Sequence, residues 1–108
     1  MDTLTTLSLL VFGHFLMDYP LQGTWIATTK DHKNPHPSGY PWVHSLTAHS
    51  VLHGGVVGLI TGSLVLGYME TIAHWAIDYF KSDQKYGVHV DQSLHILCKM
   101  LWCIFTLA

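Results

Sequence analysis

His14-Phe15-Leu16-Met17-Asp18 closes the first apolar stretch of the sequence, and its spacing of two ligand-type residues returns three times. His49-Ser50-Val51-Leu52-His53, His74-Trp75-Ala76-Ile77-Asp78 and Asp91-Gln92-Ser93-Leu94-His95 each lie in an apolar stretch of their own. Residues four apart stand one above the other on a helix face, so each pair can aim two donor atoms at one point. The stretches around them read as four helices. The first runs from Thr3 to Tyr19 and is stopped by Pro20; the second runs from Val43 to Leu66, entered after Pro41 and closed at a turn around Gly67. The third, Tyr68 to Lys81, is short, and the fourth runs from Asp91 to the C-terminus.

The pairs stand at the ends of the first and third helices and at the starts of the second and fourth. In an up-down bundle those four ends share one side. All eight residues then fall in one layer, which helix assignment alone does not require.

Composition says where such a bundle would sit. The 108 residues suffice for one domain, spanning 1–108. Charged residues are 11% of the chain, arginine is absent, and hydrophobic residues are 49%. Soluble domains carry roughly 25% charge. So little charge cannot cover a water-exposed surface, and the expected class is an all-α integral membrane protein, a four-helix up-down bundle with membrane lipid as its partner. The second helix is long enough to cross a bilayer at ~1.5 Å per residue. The others fall short of ~20 residues and would need a thinned bilayer or a homo-oligomer. The first stretch lacks a basic leader and a small-residue cleavage site, so it is expected to stay as a helix. A formal charge of −2 with no basic patch points away from nucleic acid.

The link from Pro20 to Trp42 is polar. Gln22 to Thr29, with Trp25 and Ile26, can form a short interfacial helix, and Lys30 to Gly39 reads as loop. A second loop covers Ser82 to Val90. Lys30, Lys33, Lys81 and Lys85 all lie in or beside these links. The positive-inside rule therefore turns the loops and the polar layer to the cytoplasm and both termini outward, in a multi-pass plasma-membrane protein.

Five histidines and three aspartates in one layer are a metal-binding donor set. Imidazole nitrogen and carboxylate oxygen are the usual ligands of zinc, iron and manganese, so His14, Asp18, His49, His53, His74, Asp78, Asp91 and His95 are expected to hold a divalent metal, zinc first, as one or two ions. Two neighbouring ions with bridging carboxylates would favour hydrolysis, with Asp18, Asp78 or Asp91 free to act as base. A metal-free polar network or proton relay would use the same residues. Gln22, Gln92, Lys81 and His44 are placed to orient a ligand or a substrate, while His32, His36 and His89 read as solvated loop residues. Lys99, inside the fourth helix, has no assigned partner. Cys98 and Cys103, five apart, point different ways and read as core. Gly58-x-x-x-Gly62 permits close helix packing.

With their flanks, the four pairs resemble the family catalogued as domain of unknown function 3307, membrane proteins of bacteria and phages. The matching pieces are HFLMDYPLQ with Trp25 and Lys30 following, HSVLH, HWAIDYFK and DQSLH. The resemblance implies a bacterial inner-membrane topology and marks His14, Asp18, Gln22, His49, His53, His74, Asp78, Lys81, Asp91, Gln92 and His95. It brings no activity. A looser likeness is to membrane-bound metal-dependent hydrolases, by analogy alone. The function expected first is a metal-dependent hydrolase acting on a lipid or lipid-linked ester or phosphoester. The alternatives are a metal- or proton-responsive membrane protein or transporter subunit, and a phage or bacterial membrane interaction protein with a structural metal. An enzyme needs an open coordination position; a staple needs a closed shell.

Overall fold

A computed structural model describes residues 1–107. It is all-α, with five helices: α1 (Thr3–Asp18), α2 (Gly23–Thr29), α3 (Trp42–Thr61), α4 (Leu64–Ser82) and α5 (Val88–Phe105). Asp2 caps α1 by accepting from the Thr5 amide at 2.7 Å, and the helix ends just before Pro20. The four long helices pack in a closed cycle, α1 on α3, α3 on α4, α4 on α5 and α5 on α1, with α2 laid against α3. Successive long helices run in opposite directions: Asp18 at the end of α1 meets His49 early in α3, and Cys103 near the end of α5 contacts the Thr3 carbonyl.

The turn between α3 and α4 falls earlier than the sequence suggests. Gly62, at φ +69°, takes the left-handed cap conformation, and Ser63 then caps α4 by accepting from the Leu66 amide. Leu64 to Leu66 therefore belong to α4, which has 19 residues and is not short. Gly67 is no turn residue. It lies inside α4, where a Cβ would come 2.9 Å from the Gly54 carbonyl oxygen, so its role is close backbone packing. Glu70, three residues beyond Gly67, is buried in the bundle.

The interior is unusually polar. Leu10, Val57, Leu66, Trp102 and Cys103 form a small apolar cluster toward the end where α1 begins, and Cys98 and Cys103 are free thiols. Most other fully buried positions are polar, among them five histidines, two aspartates, Glu70 and Lys99. Large apolar side chains face outward instead, including Leu4, Phe12, Leu59, Leu64, Ile72, Leu97 and Ile104. Among the described residues no single helix is long and apolar enough to cross a membrane. Only α1 and α2 together reach that measure, as a pair bent by 82°.

Candidate metal centre

The i,i+4 spacing does bring the four pairs together. Asp18 is the meeting point: its Oδ1 lies 3.1 Å from His49 Nε2, 3.2 Å from His53 Nε2 and 3.7 Å from His74 Nε2. Beside it, Asp78 reaches His74 Nε2 through Oδ2 at 3.3 Å and His95 Nε2 through Oδ1 at 3.1 Å. His95 Nε2 is also 3.4 Å from Asp91 Oδ1. The imidazoles of His53, His74 and His95 stack in a row, with centroids 3.7 and 4.2 Å apart. Seven of the eight residues are buried, and the Asp18 side chain is 11% exposed.

These side chains divide into two non-overlapping groups. Asp18, His49, His53 and His74 each offer one ligand atom within 4.8 Å of the others, and so do Asp78, Asp91 and His95. His14 can join His74 and His95 in the same way, but its Nε2 already lies 2.9 Å from Gln92 Oε1. Three nitrogens and one carboxylate oxygen make a tetrahedral donor set; one nitrogen and two carboxylates leave coordination positions open. Both sets suit a divalent ion of the zinc, iron or manganese kind. The decisive detail is that His53 Nε2, His74 Nε2 and Asp91 Oδ1 are buried with no hydrogen-bond partner. Such atoms cost about 1–3 kcal/mol each when left unmet. A cation among them removes that cost, so the residues present fit a metal.

Gln92 ties the layer together, donating to Asp18 Oδ2 at 3.0 Å and to Asp91 Oδ2 at 3.2 Å. A cavity of about 340 Å³ opens beside the cluster, lined by Asp18, Asp78, Asp91, Gln22, Gln92, Lys30 and Lys81. Lys30 belongs to this site although its segment reads as loop. Thr29 ends α2 and donates to Ser45 on α3 at 2.6 Å, which sets Lys30 over the cluster. Its ammonium then donates to Asp78 Oδ2 at 3.0 Å and to Gln22. Beside the cavity, the Tyr86 hydroxyl donates to the Ile77 carbonyl. Burial, then the charges of Asp91 and Asp78, push its pKa up to about 12, so it stays a donor at neutral pH.

Two further assignments change. His32 is not a solvated loop residue: it stacks on Tyr79 at 4.0 Å and contacts Asp83 at 2.6 Å, docking the long link on α4. His44 is exposed and faces Tyr40, away from the centre, and His89 is exposed as well. Sequence reasoning missed Glu70 altogether. Its Oε2 accepts from His74 Nδ1 at 3.0 Å, while its Oε1 accepts from Lys99 at 2.6 Å and from Trp102 Nε1 at 2.8 Å. The signal was available as Glu70 four before His74 and Lys99 four after His95, each extending a ligand pair by one helical turn.

Compared with known proteins, residues 6–107 match the family model described as "Protein of unknown function (DUF3307)". No curated protein and no solved structure matches the chain.

Proposed function

The chain belongs to the family described as Protein of unknown function (DUF3307), and from its buried centre we propose that it is a membrane-embedded, metal-dependent hydrolase of a lipid or lipid-linked ester or phosphoester. One observation carries the metal: buried, unpartnered nitrogens of His53 and His74 converge on the carboxylate of Asp18. Asp18, His49, His53 and His74 would hold one divalent ion, with zinc the first candidate, and Asp78, Asp91 and His95 a second. Ions bound there supply an activated water and charge stabilisation for a developing oxyanion.

The chain's own groups do the rest. Asp18, Asp78 and Asp91 all line the cavity, and whichever of them keeps an oxygen off the ions would take the proton. Lys81 at the cavity favours a substrate bearing anionic oxygens, while Lys30 holds Asp78 and Gln22 in place beside it and Gln92 can orient the substrate. The outward apolar faces of α1, α3, α4 and α5 support contact with lipid, because such an outside around a polar inside suits hydrocarbon better than water. The lysine-bearing links lie at the same end as the cluster, which supports a cytoplasmic-side site.

A second reading has its own support. The Asp18 group already supplies four ligands, a closed shell typical of structural zinc. On that reading the ion staples α1, α3 and α4 together and no chemistry follows.

Elemental analysis of the detergent-purified protein, repeated on His53→Ala and Asp78→Ala, tests the centre. The reading expects stoichiometric metal in the wild type and less in each variant. Metal-free wild type, prepared without chelators, would refute it. Zinc-dependent release of product from ester and phosphoester lipids separates the hydrolase from the staple.

A further inference from the structure

Beneath the metal layer lies a charged group that the proposed chemistry does not use. Glu70, Lys99 and Trp102 are at most 4% exposed and sit between α4 and α5, next to the proposed ligand His74. Burying a carboxylate and an ammonium together is costly, and the attraction between them repays that cost only where further hydrogen bonds complete the pair. The carboxylate here is fully engaged: Oε1 takes the Lys99 ammonium at 2.6 Å and the Trp102 indole N–H at 2.8 Å, leaving Oε2 for His74 Nδ1 at 3.0 Å.

We propose that Glu70 is the positioning residue of the centre, locked by Lys99 and Trp102 so that it fixes the tautomer and the ring angle of His74. A neutral imidazole carries one N–H and one lone pair. A carboxylate at Nδ1 holds the proton there, and the Nε2 lone pair is left to a metal. His74 is where this matters most. Its Nε2 is 3.7 Å from Asp18 Oδ1 and 3.3 Å from Asp78 Oδ2, without a hydrogen bond to either. It also stands in the middle of the stacked imidazoles, between His53 and His95. A ring free to change tautomer would put an N–H where a ligand is needed, and a ring free to flip would put a C–H there. This inference rests on the metal reading of the same site. It adds which group prepares that site, and why a lysine and a tryptophan are buried beside it.

The competing account makes Glu70 and Lys99 no more than a tie between α4 and α5. Two double variants separate the accounts, since neither leaves an unpaired charge buried. Glu70→Leu with Lys99→Met removes the acceptor from His74; Glu70→Gln with Lys99→Met keeps an amide oxygen in its place. Each is purified as the full chain in detergent, checked for helix content, and titrated with cobalt. Side-chain nitrogen NMR of the metal-free protein reports the His74 tautomer. The wild type and the Gln/Met variant should hold the His74 proton on Nδ1 and bind cobalt within about threefold of each other. The Leu/Met variant should show mixed tautomers, a changed cobalt absorption spectrum and 10–100-fold weaker binding, the range for losing such a partner. Leu/Met protein with wild-type affinity and spectrum would overturn this inference alone. A wild type that takes up no cobalt would overturn the metal reading and this one with it.

Discussion

Nε2 of His53 lies 3.2 Å from Oδ1 of Asp18, yet no hydrogen bond satisfies that buried nitrogen. The two residues come from different helices, and His49 Nε2 is hydrogen-bonded to the same carboxylate oxygen at 3.1 Å. Close approach without an aligned proton is what a pair shows when both atoms are ligands to a third. Asp18→Asn keeps the shape of the side chain and removes its charge. It is expected to weaken zinc or cobalt binding by at least the 10–100-fold that losing an outer partner costs. A chelator competition measures this. Unchanged affinity would remove Asp18 from the ligand set.

The distance between α3 and α4 is set by glycine. A Cβ on Gly54 would stand 1.9 Å from Thr71 Oγ1 and 2.5 Å from the Gly67 carbonyl oxygen. The second contact is backbone, so the helices themselves must part. Gly54→Ala is expected to cost about 1–3 kcal/mol or more by overpacking. It should also lower metal affinity, because it moves His49 and His53 on α3 away from His74 on α4. Gly55→Ala is the control. Its Cβ meets nothing within 4 Å, and it should stabilise by about 0.4–1 kcal/mol. Thermal melting of the two variants side by side should show opposite signs.

Docking of the long link should fail in acid. His32 Nε2 contacts Asp83 Oδ1 at 2.6 Å, and the Lys33 ammonium lies 3.6 Å from the same oxygen. Partial burial would raise the Asp83 pKa, but the hydrogen bond and charge of His32, then Lys33, outweigh it and hold it below its ordinary 3.8. A depressed carboxylate contributes stability that is present above the ordinary value and lost as pH falls through the lowered one. The fluorescence of Trp42, whose ring lies 5.3 Å from His32, can report docking. Wild type should hold its signal down to about pH 4 and lose it below. Asp83→Asn should show a weaker docked signal at neutral pH and no transition in that acid range. An identical acid transition in the variant would assign it to another group.

The His/Asp layer was legible because it rests on a helical spacing, which holds whatever the helices pack against. The four pairs met as their spacing required. Glu70 was hidden by one misplaced turn. Gly62 and Gly67 are the same residue type, and sequence does not say which takes a positive φ and which makes room for a neighbouring helix. Putting the turn at Gly67 moved Glu70 out of the bundle; the cap at Gly62–Ser63 restores it. Lys30 was obscured for a different reason. The seven-residue α2 is too short for periodicity to define, and its placement depends on a tertiary hydrogen bond from Thr29 to Ser45. His32 likewise owes its position to Tyr79 and Asp83, which are far from it in sequence.

Ile72 on α4 distinguishes lipid from water as the medium around the bundle. It is 71% exposed, two residues before His74, and points away from the centre. In water, replacing an exposed side chain of this kind changes stability by less than about 0.5 kcal/mol. At bilayer depth, a lysine costs about 2.5–3.5 kcal/mol at the middle of a helix, less toward its ends. Ile72→Lys is therefore expected to lower the amount of protein recovered in the membrane fraction and to destabilise it in lipid discs, while Ile72→Leu does neither. Carbonate extraction of membranes and denaturant titration in discs are the measurements. Phe12→Lys on α1, 67% exposed, should behave in the same way if the hydrocarbon surrounds the whole bundle. Full tolerance of both lysines, with the protein remaining in the soluble fraction, would show that lipid does not cover these faces. The outward leucines and phenylalanines would then need another protein against them.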